Sequence, residues 1–165
     1  LEYIDSVLDT VSRAESEREL AQIREELTEQ GYLRKQKGKQ RPQAALPPLE
    51  FTSSDGFKIL VGRNNTQNDK LTLKIANKND MWLHTKDIHG SHTVVFAEGR
   101  EISDTAILEA AQLAAYYSKA RESSQVPVDY TLVRYVSKPS GARPGMVIYV
   151  NNKTVYVTPK ANISE

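Results

Sequence analysis

The sequence predicts an α+β fold: a mainly antiparallel sheet with two packed helices, preceded by an N-terminal helical arm that forms the base of a coiled coil. Two patterns support this class. Apolar residues recur three and four positions apart at the start of the chain and again in an alanine-rich segment after Ser103, which is typical of helices. Elsewhere, short apolar segments alternate with turns rich in Gly, Pro and Asn, which is typical of strands joined by hairpins.

The first thirty residues predict two amphipathic helices, at 2–14 and 17–30. A capping box at Ser16–Glu19 begins the second helix, and Gly31 ends it. The pair fits either the base of a longer helical hairpin or a short helical pair packed on the main domain. Because the chain starts at Leu1 inside a helical pattern and has no initiator Met, we expect it to be part of a longer protein.

A basic linker with three prolines is predicted at 34–48. It has no acidic residue, so it is either simply solvated chain or a source of further phosphate contacts. The domain that follows, 49–165, is predicted to hold the sheet and its two helices. The predicted strands and helices are a hairpin of 51–52 and 57–61, a helix from Asn64 to about Ala76, strands at 80–86 and 92–97, a helix from Ser103 to about Arg121, a strand at 129–136, and a hairpin of 146–150 and 154–157.

The net charge of +1 hides an uneven distribution along the chain. Residues 1–30 contain nine acidic and three basic residues, for a charge of −6, whereas residues 31–165 contain twelve acidic and nineteen basic residues, for +7. A basic region attracts phosphate through its local field and not through the total charge of the protein. The distribution favours a polyanionic partner, although an ordinary solvated surface would give the same totals.

Several classes of protein do not fit this composition. With no cysteine, the chain forms neither a disulfide framework nor a thiolate metal site. No apolar segment approaches the roughly 20 residues that cross a bilayer, so we expect no membrane span, and no secretory signal is recognisable. The sequence also lacks a Walker A motif, a Rossmann fingerprint and a nucleophile elbow. We therefore predict a protein that is not an enzyme, has no catalytic residues and needs no cofactor.

Three histidines, His84, His89 and His92, lie close to Asp87 in the sequence. Zinc accepts both kinds of ligand, but these spacings match no closed zinc motif. We predict that the histidines form hydrogen bonds in turns or contact a ligand, and that they bind no metal. A three-histidine site built on the turn is the alternative.

The segment 63–92 combines cations, amides and aromatic rings in a way that folding alone does not require. Its lysines lie four apart on the predicted helix, and Trp82, His84 and Lys86 alternate onto one face of the predicted strand. Cations neutralise phosphates, amides bond to phosphates or base edges, and an exposed tryptophan stacks a base. The alternative for Trp82 is a place in the core.

The loop Lys138–Gly145 is basic and stiffened by two prolines, so it is either a second phosphate clamp or only a connection. Together with the segment 63–92 it completes the set of predicted RNA-binding residues. These residues are Arg63, Asn64, Asn65, Asn68, Lys70, Lys74, Lys78, Trp82, His84, Lys86, His92, Lys138 and Arg143.

Three long motifs also point to a known family. They are G-R-N-N-x-Q-N-D-x-L-T-x-K-x-A at Gly62–Ala76, D-x-W-L-H-T-K-D-I-x-G-S-H at Asp80–His92, and K-P-x-G-A-x-P-G at Lys138–Gly145. In this order they resemble the NFACT-R domain of the bacterial RqcH and fibronectin-binding FbpA proteins and of eukaryotic NEMF. The helical segment Arg24–Leu33 is similar to the end of that family's coiled-coil region. The family commonly has Pro at the position of His89, which argues against a three-histidine metal site.

The resemblance implies an RNA-binding module that works beside an N-terminal NFACT domain, which this chain lacks. Members of the family bind the obstructed large ribosomal subunit and recruit tRNA, in bacteria alanyl-tRNA, for template-free tailing of the stalled chain. A cytoplasmic, ribosome-associated protein is therefore expected. Some members are also described as surface proteins that bind fibronectin, so a cell-surface adhesin fragment is the alternative function.

Overall fold

The computed structural model describes residues 2–34 and 46–162. The arm consists of two helices, α1 (Glu2–Arg13) and α2 (Glu17–Glu29), which confirms both predicted helices. The Ser16 hydroxyl accepts a hydrogen bond from the Glu19 backbone N–H and so caps α2. Gly31, with φ of +83°, ends α2 in a Schellman motif, because the N–H groups of residues 31 and 32 donate to carbonyls in the last turn.

The main domain is built on a six-stranded sheet accompanied by a separate two-stranded ribbon. Its strands are β1 (Leu49–Thr52), β2 (Lys58–Val61), β3 (Met81–Thr85), β4 (Thr93–Val95), β5 (Val126–Leu132), β6 (Val136–Ser137), β7 (Ile148–Tyr149) and β8 (Lys153–Val157). The large sheet has the order β1-β2-β4-β3-β5-β8, and the ribbon pairs β6 with β7. Every neighbouring pair is antiparallel, which confirms the predicted fold class.

The two predicted helices pack on the sheet, and the structure places them on opposite faces. Helix α4 (Asp104–Tyr116) packs its alanines against one face, which includes Leu83 and Val128. The other face is covered by the ribbon and by α3 (Asn65–Lys70), which continues as a π-helical turn (Leu71–Ile75). The second core contains Leu71, Trp82 and Val94, all fully buried.

The π-helical turn decides which residues of this segment face the sheet. Leu71 and Thr72 are buried, whereas the next three residues are exposed. On the predicted helix the spacing of Leu71 and Ile75 predicts that both face inward, but Ile75 is 41% exposed because the chain leaves the helix immediately after it. The alternation of apolar residues over 71–75 also suits a strand, and the structure shows that this alternative is wrong.

The arm lies directly on the domain. Tyr3, Val7 and Ile23 form a small core between α1 and α2, and Met146, which follows the Lys138–Gly145 loop, packs against it. This contact fits the interpretation of a helical pair packed on the main domain. No helix in the described ranges is long and apolar enough to cross a membrane.

The strand predicted at 129–136 is displaced, since β5 is Val126–Leu132 and a 3-10 turn follows it, and two further predicted elements differ from the structure. Helix α4 ends at Tyr116 and not near Arg121, because residues 117–119 leave the helix and form hydrogen bonds beside residues 89–91. The predicted hairpin of 146–150 and 154–157 is wrong, because β7 pairs with β6 while β8 pairs with β5. The predicted basic linker falls mostly on residues 35–45, which lie outside the described residues.

Candidate nucleic-acid interface

The three sequence motifs meet at one junction on the second face of the sheet, which is the face covered by α3 and the ribbon. The Asn68 side chain accepts a hydrogen bond from the His92 backbone N–H, with an N to O distance of 3.2 Å. The neighbouring Asp69 accepts one from the Gly145 backbone N–H, at 2.9 Å. A β-carbon on Gly62 would lie 1.9 Å from the Asn68 side-chain oxygen, so the first motif needs glycine at that position. Residues separated in sequence by up to 76 positions therefore form one hydrogen-bonded structure.

His92 is at the centre of this junction. Its Nε2 donates to the Gly145 carbonyl at 3.1 Å, so its Nδ1 accepts from the Thr72 hydroxyl at 2.8 Å. The ring is 1% exposed. Burial, with the nearby His84 and Lys138 charges adding to it, lowers the pKa of His92 to about 3. His92 is therefore a neutral structural residue, and its predicted direct contact with RNA does not fit this position.

Trp82 is fully buried, so the expectation of an exposed base-stacking surface at this residue is wrong. The rings of His84, His92 and Tyr149 surround it, with centroids 5.8, 5.3 and 4.7 Å away. The alternative, that a lone tryptophan belongs to the core, is the correct one. Its indole N–H has no hydrogen-bond partner within the described residues.

Helix α2 forms contacts with three predicted RNA-binding residues, Arg63, Asn64 and Asn65, which precede and begin α3. Glu19 forms an ion pair with Arg63 at 2.6 Å, and Gln22 accepts a hydrogen bond from the Asn64 side chain. Asn64 also caps α3 through its side-chain oxygen. These residues are committed to the contact between the arm and the domain.

The next contact of α2 is a buried carboxylate. Glu26, 3% exposed, accepts hydrogen bonds from the Tyr3 hydroxyl, from the Asn65 amide, and from both the backbone and the hydroxyl of Thr66. A buried carboxylate is costly unless its oxygens are filled by donors in this way. Asn65 therefore holds the arm, in addition to lying against Gly145.

The Lys138–Gly145 loop is also held by internal contacts. The Lys138 ammonium forms an ion pair with Asp69 at 3.0 Å and donates to the Arg143 carbonyl at 2.7 Å. The Arg143 guanidinium donates to Gln30 and lies 5.3 Å from the centre of the Tyr32 ring. Of these two predicted cations only Arg143 is exposed. Its guanidinium already lies over the Tyr32 ring of the arm.

Four predicted lysines differ from the other predicted cations. Lys70, Lys74, Lys78 and Lys86 are all exposed, and none forms an ion pair with another residue in the described ranges. The first two lie on α3 and its π-helical turn, and Lys78 lies in the turn that leads to β3. Lys86 follows the far end of β3, a strand roughly 16 Å long whose near end is preceded by the turn that holds Lys78. The structure therefore separates a series of three lysines (Lys70, Lys74 and Lys78) from Lys86.

His84 has an intermediate position. Its ring is partly exposed, stacks parallel to Trp82 with a 6° angle between the planes, and donates from Nε2 to the Gly90 carbonyl at 3.2 Å. Burial is the main cause of a lowered pKa, so the ring is neutral near pH 7. Among the described residues, no group of three or more His, Asp or Glu side chains is placed to hold a metal ion.

Sequence reasoning missed the polar side chains that complete the second face. Asp129 on β5 is 2% exposed and accepts hydrogen bonds from the Tyr149 hydroxyl at 2.5 Å and the Thr154 hydroxyl at 2.6 Å. The alternation of Pro127, Asp129 and Thr131 within an otherwise apolar strand was the available signal that this face carries polar contacts.

Known proteins share this architecture. The family model of the NFACT protein RNA binding domain matches residues 48–151. The chain is 50% identical to the Rqc2 homolog RqcH of Bacillus subtilis (strain 168), over 98% of this chain and 28% of that protein. It is 46% identical to the Rqc2 homolog RqcH of Streptococcus suis (strain 05ZYH33), over 96% of this chain and 28% of that protein. The chain thus spans a little over a quarter of these curated relatives.

A solved structure is similar throughout. The C-terminal part of the fibronectin/fibrinogen-binding protein from Streptococcus suis superposes with a TM-score of 0.89 at 43% identity, over 96% of this chain and 63% of that one. The segment matched by the family model contains all three motifs and the hydrogen-bonded junction that they form. The chain therefore belongs to the NFACT protein RNA binding domain family.

Proposed function

We propose that this chain is a non-catalytic RNA-binding module whose main phosphate contacts are Lys70, Lys74 and Lys78. One observation carries the proposal: these lysines are exposed and without ion pairs in the described ranges, whereas Arg63 and Lys138 are paired. A lysine that is already paired gains less from a phosphate, because its partner must first be displaced. Unpaired lysines release counterions from RNA at no such cost.

The succession of lysines along the chain supports RNA over a small ligand. The three lysines follow one another along α3, its π-helical turn and the next turn, beside the exposed apolar residues Leu73 and Ile75. A series of separate cations along one segment suits a phosphate backbone, which presents repeated charges. π-helical turns are often found at functional sites, which fits the position of Lys74.

At the level of the whole protein, we propose a cytoplasmic, ribosome-associated quality control factor. Its partners would be the obstructed large ribosomal subunit and tRNA, alanyl-tRNA in bacteria, recruited for template-free tailing. Support comes from the family and from relatives named Rqc2 homolog RqcH. In this proposal residues 1–33 are the arm, 34–48 the linker and 49–165 the RNA-binding domain, and the module contributes RNA contacts while tailing requires the rest of the protein.

A mobility-shift experiment tests the RNA contact. The wild-type chain and a Lys70→Ala, Lys74→Ala, Lys78→Ala triple variant are titrated against transfer RNA and against a single-stranded RNA at ~50 mM salt. Loss of three phosphate contacts should weaken binding at least about tenfold. The three side chains are exposed, so the variant should keep the thermal stability of the wild type.

The chain offers a matched control for this variant. Lys119, Lys153 and Lys160 are also exposed, and they lie away from the second face: Lys119 follows α4, and the Lys160 backbone bonds to a carbonyl of α4. Their replacement by Ala removes the same charge and should weaken binding much less. Equal losses in both triple variants would show attraction by net charge alone and would contradict the proposed surface.

A second function is suggested by the name of the similar solved structure, the fibronectin/fibrinogen-binding protein from Streptococcus suis. If this chain is a cell-surface adhesin fragment, it should bind immobilised fibronectin in a surface plasmon resonance experiment. Competing RNA separates the two functions. Fibronectin binding that persists in the variant lacking Lys70, Lys74 and Lys78 and in excess RNA would support the adhesin. If the wild-type chain does not bind fibronectin, RNA binding is left as the proposed function.

A further inference from the structure

The parallel stack of Trp82 and His84 has an open third position. These residues lie two apart on β3, so their side chains project from the same face of the sheet. Their planes differ by only 6°, with ring centres 5.8 Å apart. Trp82 is fully buried, whereas His84 is partly exposed. The next residue on this face, Lys86, is exposed and has no ring, so no further ring of β3 continues the stack beyond His84.

The neighbouring strands provide a wall beside that position. The backbone N–H of Lys86 bonds to the carbonyl of Pro127, and Pro127 pairs with Tyr156 on β8. Cross-strand neighbours project from the same face, so Lys86, Pro127 and Tyr156 form one row across three strands. Tyr156 is 62% exposed, which makes it one of the most exposed large apolar side chains among the described residues.

The His84 ring is fixed before any ligand arrives. Its Nε2 donates to the Gly90 carbonyl. Asp129 is its cross-strand neighbour on β5, and the two carboxylate oxygens of Asp129 accept hydrogen bonds from the Tyr149 and Thr154 hydroxyls. A ring held in this way loses little conformational freedom when a second ring stacks on it. The one exposed acid beside this place in the sequence is Asp87, which directly follows Lys86. Lys86 carries the opposite charge.

We infer that this end of the sheet binds one unpaired nucleobase, stacked on His84 as the third member of the Trp82–His84 series and flanked by Tyr156. Lys86 then meets the phosphate next to the bound base. The inference rests on the proposed function, to which it adds that the RNA is single-stranded at this point, since a base within a duplex has both faces covered by its stacked neighbours. Tyr156 lies beyond residues 48–151, the segment that the family model matches.

The test compares two oligomers of equal charge: a single-stranded RNA of about eight nucleotides and the same backbone without bases. The wild-type chain should bind the RNA at least about fivefold more tightly than the abasic oligomer, as one stacked base provides. Trp82, the only tryptophan, stacks on His84 and should change its fluorescence only when bases are present.

Two exposed-site variants connect the preference to this position. Tyr156→Ala should reduce the ratio of the affinity for the RNA to the affinity for the abasic oligomer towards one. Tyr156→Phe keeps the ring and should keep the wild-type ratio. Tyr156 is exposed, so neither change threatens folding. His84→Phe, which preserves a ring, should retain more of the preference than His84→Ala.

The outcomes separate this inference from the proposed function. The variant lacking Lys70, Lys74 and Lys78 should have a lower affinity than the wild type for both oligomers, by the same factor. Equal binding of the two oligomers by the wild type, or a preference unchanged by Tyr156→Ala, overturns the base site while RNA binding stands. Failure of the wild type to bind either oligomer overturns both.

Discussion

The carboxylate of Asp69 accepts a hydrogen bond from the backbone N–H of Gly145, across 76 positions of sequence. Its second oxygen forms the ion pair with Lys138. His92 donates from Nε2 to the carbonyl oxygen of the same Gly145. The contacts of Asp69 and His92 with Gly145 together join the three motifs that characterise the sequence. Most of the residues that make the sequence recognisable thus build a scaffold, and the exposed lysines are displayed on it.

Gly145 should tolerate no side chain. Its φ is +82°, and a β-carbon would lie 2.5 Å from the Asn65 side-chain oxygen. Gly145→Ala should therefore lower the free energy of unfolding by about 2 kcal/mol or more, from backbone strain together with a clash. Gly141 in the same loop has φ of +77° but open space around it, so Gly141→Ala carries the strain alone. Urea denaturation of both variants measures the difference, and equal losses would contradict the close contact with Asn65.

Glu26 should hold the arm on the domain. Glu26→Ala removes the acceptor for Tyr3, Asn65 and Thr66 and leaves the buried donors of Tyr3 and Asn65 without it, which should cost about 2–4 kcal/mol. The neighbouring Glu25 is exposed, and Glu25→Ala should change stability by less than about 0.5 kcal/mol. Hydrogen exchange provides a local measurement: the Thr66 amide should lose protection in Glu26→Ala only. Retained protection of that amide would show that the arm does not depend on Glu26.

His92 should make stability depend on pH. In the unfolded chain it takes up a proton near pH 6.5, whereas in the folded protein burial lowers its pKa to about 3. Between these values the unfolded state binds more protons, so the free energy of unfolding is highest above pH 6.5 and falls as the pH decreases. The loss between pH 7 and pH 5 should be about 2 kcal/mol from this residue.

The His92→Gln variant tests that dependence. It should be less stable at pH 7 but should lose less stability than the wild type on going to pH 5, measured by urea denaturation at each pH. His84, whose pKa is also lowered by burial, is present in both proteins and contributes to both profiles. Identical pH profiles would show that His92 is not the neutral buried ring that its contacts with Thr72 and Gly145 indicate.

Local signals in the sequence were sufficient for most of the fold. Ser16, Asn64 and Ser103, which are residue types that favour helix N-caps, each accept a hydrogen bond at the start of a helix. Helix α4 could not be bounded in the same way, because its end at Tyr116 depends on pairing with residues 89–91. The pairing of β7 with β6 also depends on tertiary structure, since a turn at Asn151 is equally compatible with a hairpin.

The candidate site was predicted only in part, for a physical reason. Residue type indicates what a side chain can bind but not whether another part of the chain already binds it. Arg63 and Lys70 are both cations in one motif, yet only Arg63 faces Glu19 of the arm. Trp82 and Tyr156 are both aromatic residues on strands, but the covering by Tyr149 leaves only Tyr156 open to solvent.

The salt dependence of RNA binding tests the central claim most directly. The affinity for a single-stranded RNA is measured from ~50 to ~200 mM salt for the wild type, for the variant lacking Lys70, Lys74 and Lys78, and for the control lacking Lys119, Lys153 and Lys160. Each phosphate contact contributes about 0.7 to the slope of log affinity against log salt, so the first variant should lose about 2 from that slope. The control should keep the wild-type slope. A slope unchanged by removal of Lys70, Lys74 and Lys78 would contradict RNA binding through these lysines.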